Sequence, residues 1–513
     1  MRRIGIVGAG QAGLVLGIGL RQRGYDVTVF AERSAADVRA GRLVSNQCLF
    51  HPALERERAL GIDFWEAPPI REVAFAAAGE GAEPAISWRV GLDRPAQSVD
   101  QRIKVADWMT EFERLGGDLR VRRVTPADLD ECAREFELLV VAAGRGPQFD
   151  ALFPRDDARS PYREPQRAIG ILYVAGTLDA VPGLTFGMAP AGEFFLLPVL
   201  SVHGPVHGIG FFGLPGGPMD VWDDVADVDQ HYETARKLLR TQYPWQATLL
   251  DDARPVAPTE MLHGRITPVV RHPVGTLPSG AKVLAMGDTA VTNDPVGGQG
   301  ANMAARAARA YQEAIVERGD RPFDEDFMHD AFARYWHHAR HSTRFTNDLL
   351  APPPDHVLAT LAAAQRVPEV AHRFAHLFEN PADYEGWLAD PEAAMAYLHA
   401  TAPGRLGKQP PSGGGTNMTA DNPTTKRAER FRGQALVARV KELVHQGNVR
   451  RIRIKNDAGR TVLEIPVTAG VVAVIAAPVV TAVGAIAALA KEWTIEVDHR
   501  ATPEKEPDGG TGD

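Results

Sequence analysis

Cysteine is nearly absent. Cys48 and Cys132 are the two in 513 residues, too few for a disulfide framework or a structural zinc site, so a reducing compartment is the expectation. Lysine is scarce beside arginine, nine against 47, which reflects GC-rich coding and carries no mechanism. Excess positive charge is missing as well: the net charge of −9 excludes a strongly basic nucleic-acid binder. A secretory signal also lacks support. Met1-Arg2-Arg3 precedes an apolar stretch to Leu20, but six glycines weaken a signal helix, and no A-x-A-type cleavage site precedes the polar Arg21-Gln22-Arg23-Gly24. What is present is ordinary globular material, 44% hydrophobic and 24% charged, with length for about three domains at roughly 150 residues each.

The N-terminus reads as one βαβ unit: a strand at Arg3–Val7, a helix at Gln11–Arg23 and a β-branched strand at Tyr25–Phe30. The first turn is Gly8-Ala9-Gly10-Gln11-Ala12-Gly13, and an acid, Glu32, follows 19 residues after its last glycine. In that setting Gly8 permits the tight turn, Gly10 lets a pyrophosphate reach the backbone, and Gly13 lets helix and strand pack closely. Glu32 would take ribose hydroxyls, although it falls one or two positions later than usual. A helix is expected over Val99–Leu115 and a buried strand over Phe136–Gly144. From about 165 to 280 the chain turns to short strands, among them Ala168–Val174 and Glu193–Val199, between Pro and Gly turns. It returns to a buried strand at Lys282–Met286, then Gly287-Asp288, a glycine-rich loop, and a helix from Ala301 to about Arg318. Residues 322–400 read as mostly helical. His337 and His341 share a helical face there, but no carboxylate completes a ligand set at standard spacing, so no metal is expected.

Several segments then resemble a known family. Gly8 to Gly13, Pro161-Tyr162-Arg163-Glu164-Pro165-Gln166-Arg167, Gly287-Asp288 and above all Asp294-Pro295-Val296-Gly297-Gly298-Gln299-Gly300-Ala301-Asn302 are similar to the epoxidase component of styrene monooxygenases and to indole monooxygenases. Arg42-Leu43, Val99-Asp100 with Arg102, Gly192-Glu193 with Leu197-Pro198, and Arg344-Phe345-Thr346-Asn347 support the match, which covers about residues 1–400. The resemblance implies the hydroxybenzoate-hydroxylase fold and extended, non-covalent FAD. It implies transfer of one oxygen atom from a flavin C4a-hydroperoxide to an aromatic alkene or indole, with molecular oxygen as co-substrate and reduced FAD supplied by a separate NADH-dependent reductase. No second nucleotide fingerprint is found. Cofactor contacts are then expected from Gly8, Gly10, Gly13, Glu32, Arg42, Gly287, Asp288, Gly297, Gly300, Ala301 and Asn302. Asp288 would bind the ribityl chain, and the helix opened by Gly297–Asn302 would stabilise negative charge at flavin N1 and O2. Pro295 and Val296 would lie against the ring. The chain departs from the family after Arg42-Leu43: Ser45 stands where the family has asparagine, with Asn46 adjacent, so both are candidates beside the flavin. Electrophilic oxygen transfer needs a dry wall rather than a nucleophile. Phe194, Phe195, Leu197, Val199, Phe211 and Phe212 are candidates for that wall, with core packing the alternative for each.

The fold class is therefore α/β: a Rossmann-type FAD-binding domain with a sheet-rich substrate domain, a C-terminal helical region and a separate small α+β module. The expected domains are 1–70, 98–165 and 280–320 for FAD, 71–97 and 166–279 for substrate, and 321–402 for the helical region. A flexible Pro/Gly/Ser-rich linker at 403–430, the module at 431–500 and an acidic tail at 501–513 follow. The module resembles a small bacterial domain of unknown function, with a helix at Gly433–Gln446, a hairpin at Val449–Val467 and a strand at Trp493–Val497. The 26 uncharged residues from Ile465 to Ala490 are long enough to span a membrane. A span would separate the last strand from the hairpin, which argues instead for a buried or re-entrant segment beside a three-stranded sheet. Arg451, Arg453 and Lys455 alternate on one strand and would offer a cationic face to a membrane surface or an acidic partner, with a solvated edge as the alternative. The expectation is a cytoplasmic enzyme, membrane-associated if that face docks, with a small aromatic substrate and a homodimer as an open option. A single-component NAD(P)H-dependent hydroxylase and a flavoprotein sensor or scaffold are the competing readings.

Overall fold

The computed structural model describes residues 2–79, 81–176 and 183–401, and beyond them four strands within 429–499. The chain divides into two compact units, one of Met1–Pro352 with Ala363–Thr401, the other of Pro353–Ala362 with the residues after Thr401.

Two sheets organise the first unit. The first has six strands in the order Val274–Thr276, Lys282–Ala285, Leu138–Val141, Arg3–Val7, Asp26–Ala31 and Asp118–Val121. All neighbours are parallel except the first pair. Val274–Thr276 thus belongs to this sheet, a few residues ahead of the boundary expected at 280. Covered on both faces, its central strands are continuous apolar runs, with Ile4 to Val7 and Leu138 to Val141 all buried. The Gln11–Arg21 helix is buried from Gln11 to Leu20. Its glycines are there for packing: a Cβ on Gly17 would lie 3.2 Å from both Phe112 and Val29. The helix ends at Arg21 rather than Arg23, because the backbone reverses at Gly24, where φ is +82°.

The second sheet has eight strands in the order Ala253–Pro255, Ala168–Gly176, Gly204–Gly213, Gly192–Ser201, Leu184–Ala189, Pro69–Ala78 and Pro84–Gln97, with Met261–Arg265 also pairing to Ala168–Gly176. One face is covered by the Val228–Gln242 helix, whose Ala235, Leu238 and Leu239 share a buried cluster with Leu196, Ile209 and Trp222. The Gly300–Arg318 and Glu325–Leu349 helices follow the first sheet. His337 and His341 lie on the second of these with ring centroids 6.3 Å apart.

The second unit contains a four-stranded antiparallel sheet in the order Glu429–Phe431, Trp493–His499, Val449–Lys455 and Thr461–Pro466. The hairpin and the Trp493 strand were expected; the short fourth strand was not. Pro466 and Trp493, which bracket most of the uncharged run, lie in this one sheet, the arrangement that argued against a span. The run from 467 to 492, the Gly433–Gln446 helix and the acidic tail fall outside the described residues, as does the linker except for its last two residues, where the fourth strand begins. Among the described residues no helix is long and apolar enough to cross a membrane. In the register Arg453 pairs with Glu464 on one side and Glu496 on the other, and Arg451 pairs with Asp498.

Candidate functional site

The fingerprint turn shows three different uses of glycine. Gly8 has φ +118°, and a Cβ there would sit 2.2 Å from the Ala142 carbonyl oxygen. A Cβ on Gly13 would sit 2.1 Å from the Gly8 carbonyl oxygen, so these two residues are required by the fold itself. Gly10 differs. It caps the Gln11–Arg21 helix without a side-chain cap, and nothing lies within 4 Å of its missing Cβ. That open side faces a cleft of about 300 Å³ lined by Gly8, Ala9, Gly10, Glu32, Arg42, Gly144 and neighbours. A helix N-terminus with unsatisfied N–H groups opening on a cleft of this size suits a pyrophosphate. Glu32 follows the Asp26–Ala31 strand and lies 3.5 Å from Arg123 Nε. Arg33, Arg122, Arg123 and Gln148 also line the cleft. Sequence reasoning missed them, since only the strand order brings residues 122–123 beside residue 32.

The Gly287–Asn302 segment forms a second wall. Gly287 adopts φ +60° with its missing Cβ 3.0 Å from Ala12, which joins this segment to the fingerprint helix. The half-exposed Asp288 carboxylate lies 3.6 Å from Arg145 Nε. Surrounding protein raises its pKa, against the pull of Arg145. Asp294 Oδ1 accepts the Val296 N–H at 3.0 Å and opens the short turn of Pro295, Val296 and Gly297. Its Oδ2 is buried without a partner, and burial pushes the pKa up to about 6 although the Val296 N–H and Arg167 oppose it. Gly297 has no room for a side chain, its Cβ position being 2.3 Å from Thr346 Oγ1. Gly300 starts the helix with open space beside it, as at Gly10. Ala301 packs against Leu49, Ala53 and Leu54. Asn302 Nδ2 donates to the carbonyls of Cys48 (2.9 Å) and Gly298 (3.0 Å), and its Oδ1 accepts the Phe50 N–H at 3.0 Å. The side chain expected to meet the cofactor is therefore spent clamping two segments of the chain together.

The clamped segment carries Ser45 and Asn46. Ser45 Oγ donates to Gln101 Oε1 at 2.8 Å, and its carbonyl accepts from the Tyr173 hydroxyl at 3.4 Å. Asn46 lies over Gly208, where a Cβ would approach its amide to 2.7 Å, and its Oδ1 is buried without a partner. Gly208 pairs with Leu197 and Gly210 with Phe195, so Asn46 faces the sheet side carrying Phe195, Leu197, Val199 and Phe212. Phe194 and Phe211 are a correction to the expected wall. They point to the other side, into the cluster with Trp222, Leu239 and Tyr243 under the Val228–Gln242 helix, because alternate residues of a strand face opposite ways. Ile171, Tyr173 and Phe186 share the Phe195 side by register and were not anticipated. On that side Arg167 binds Glu193 through two contacts of 2.8 Å, both residues buried. Burial raises the Glu193 pKa, with Arg167 opposing.

Similarity to known proteins runs through the same residues. Residues 144–248 match the family described as "Styrene monooxygenase A putative substrate binding domain", and residues 422–499 match "Domain of unknown function (DUF4342)". Styrene monooxygenase StyA of Pseudomonas fluorescens is 29% identical over 416 residues, 78% of this chain and 99% of that protein. A StyA from a Pseudomonas species is likewise 29% identical over 415 residues, with 78% and 99% covered. A flavoprotein/dehydrogenase from Cytophaga hutchinsonii superposes with a TM-score of 0.55 at 11% identity, over 78% of this chain and 94% of that one. The myxobacterial FAD-dependent halogenase CndH superposes with a TM-score of 0.52 at 15% identity, over 78% and 97%. The fold is shared with both.

Proposed function

The chain is a FAD-dependent monooxygenase similar to styrene monooxygenases, and on that premise we propose that it epoxidises an aromatic alkene or an indole-like ring with reduced FAD from a separate NADH-dependent reductase. The observation that carries this reading is the sheet side presenting Phe195, Leu197, Val199 and Phe212 around the bare backbone of Gly208 and Gly210, with Asn46 above it. Such a surface takes a flat apolar ring and excludes water. Reduced FAD and molecular oxygen supply the chemistry: one oxygen atom goes to the substrate and the other leaves as water.

The chain's part is to bind and orient. Gly8, Gly10 and the helix behind them would receive the pyrophosphate, and Glu32 and Arg42 the adenosine half. Asp288 and Gly287 would hold the ribityl chain. Pro295 and Val296 would lie against the ring, and Gly297 with the first-turn N–H groups of Gly300 and Ala301 would stabilise negative charge on it. Asn302 acts at one remove by fixing the Cys48–Phe50 strap against Gly298. Asn46 Oδ1 and Ser45 would set the orientation of ring and substrate.

The test is anaerobic mixing of the FAD-loaded chain with NADH or NADPH, followed by aerobic turnover of styrene and indole under ¹⁸O₂ with an added flavin reductase. Little bleaching by the nicotinamide alone, and a product carrying one ¹⁸O only when reductase is present, are the expected results. Rapid bleaching without reductase would favour a single-component hydroxylase instead.

A further inference from the structure

Beyond contacts to bound FAD, the cleft has a charge pattern of its own. Its lining includes Arg33, Arg42, Arg122 and Arg123, all exposed, and among the lining residues the one carboxylate is Glu32. Arg102 also touches the cleft, but its guanidinium is buried and bound to Asp100 and Glu260 at 2.6 and 2.5 Å, so its charge is met within the protein. Arg122 has Glu131 at 4.0 Å and Arg123 has Glu32 at 3.5 Å, exposed pairs that salt and water weaken. The rim is thus positive on a chain whose net charge is −9. Exposed arginines are common in a chain with 47 of them; these four line one concave site that suits a pyrophosphate. A cleft lined by an excess of one sign focuses its field outward and raises encounter rates about 10- to 10³-fold for an opposite charge, an effect that salt removes.

We infer that Arg33, Arg42, Arg122 and Arg123 form an electrostatic capture rim for free flavin dinucleotide, drawing reduced FAD from solution into the cleft. The inference rests on the proposal that reduced FAD is made elsewhere and must be taken up. Oxidised FAD carries two negative charges on its pyrophosphate, and reduced FAD ionised at N1 carries a third, so the rim favours the form the reaction consumes. Riboflavin has no phosphate and gains nothing from it.

The experiment is rapid mixing of the flavin-free full-length chain with oxidised FAD, anaerobically reduced FAD and riboflavin, from about 20 to about 500 mM ionic strength, where the screening length falls to a few ångströms. FAD association is expected to slow at least tenfold over that range, more steeply for the reduced form, while riboflavin stays flat. A double variant, Arg33→Gln with Arg122→Gln, is expected to bind FAD three- to tenfold more slowly at low salt and to converge with the parent at high salt. Unchanged circular dichroism would confirm that it folds. Salt-independent FAD association by the parent chain, or a variant as fast as the parent at low salt, would overturn the capture rim. Bleaching of bound flavin by NADH alone would overturn the separate reductase, so the two failures are read from different measurements.

Discussion

Gly10 and Gly13 stand three positions apart and should fail in different ways. A methyl on Gly13 meets the Gly8 carbonyl oxygen at 2.1 Å, so Gly13→Ala is expected to cost about 1–3 kcal/mol, seen as a lower unfolding midpoint. A Cβ on Gly10 has open space around it, so for Gly10→Val the midpoint should hold while FAD affinity falls at least tenfold in a flavin titration. Retained affinity would remove the pyrophosphate from this turn. His231 makes a prediction about acid. It is fully buried, stacks on Trp222 with centroids 4.5 Å apart, and neither ring nitrogen has a partner. Burial, aided by His263, pushes its pKa down to about 4. The unfolded chain therefore binds a proton that the folded chain refuses. Stability is full above about pH 6.5 and is lost as pH falls toward 4, by at most about 3 kcal/mol. His231→Phe should flatten that part of the pH–stability curve in denaturant titrations, and an unchanged slope would refute the assignment. The glycine roles could be read from spacing. The state of His231 could not, since its burial comes from sheet strands far from it in sequence.

At the scale of elements, the Gln101–Arg114 helix was legible from its periodicity, yet one of its buried positions is a lysine. Lys104 Nζ lies 2.6 and 2.7 Å from the Glu57 carboxylate, and both side chains are about 1% exposed. The pair joins this helix to His51–Ala59, which follows the strap that Asn302 clamps. Lys104→Met alone leaves a carboxylate buried without a partner and is expected to cost about 3–5 kcal/mol. Adding Glu57→Leu should recover most of that loss, measured as a double-mutant cycle in urea. A double variant as unstable as the single one would mean that packing, not charge, sets the cost. A charged residue within an amphipathic pattern reads as solvent-facing, so sequence alone hides such a pair. The facing of the Gly192–Ser201 strand is hidden for a related reason. Phe194-Phe195-Leu196-Leu197 is apolar at every position because both sides of this sheet are covered, so the side facing Asn46 was set only by the pairing of Phe195 with Gly210.

For the whole molecule, the C-terminal sheet bears on where the chain works. Val449–Lys455 alternates cations along its sequence, and its register pairs Arg453 with Glu464 and Glu496 and Arg451 with Asp498. Binding to an anionic surface needs unopposed charge. The full-length chain is accordingly expected not to cosediment with phosphatidylserine vesicles at about physiological salt. Salt-reversible cosedimentation would restore the cationic face.

Local sequence was enough to set the glycine turn after the first strand, the glycine-rich loop from Asp294 to Asn302, the βαβ start and the break in composition after residue 402. These depend on local backbone needs and short spacings, which adjacent residues encode. Only the tertiary structure decided which aromatic residues face Asn46, that Asn302 clamps the chain, that Arg122 and Arg123 come round to Glu32, and that Arg451 and Arg453 pair with acidic residues in the last sheet. Each of these is a pairing between residues distant along the chain, set by strand order and register, and no single segment contains it.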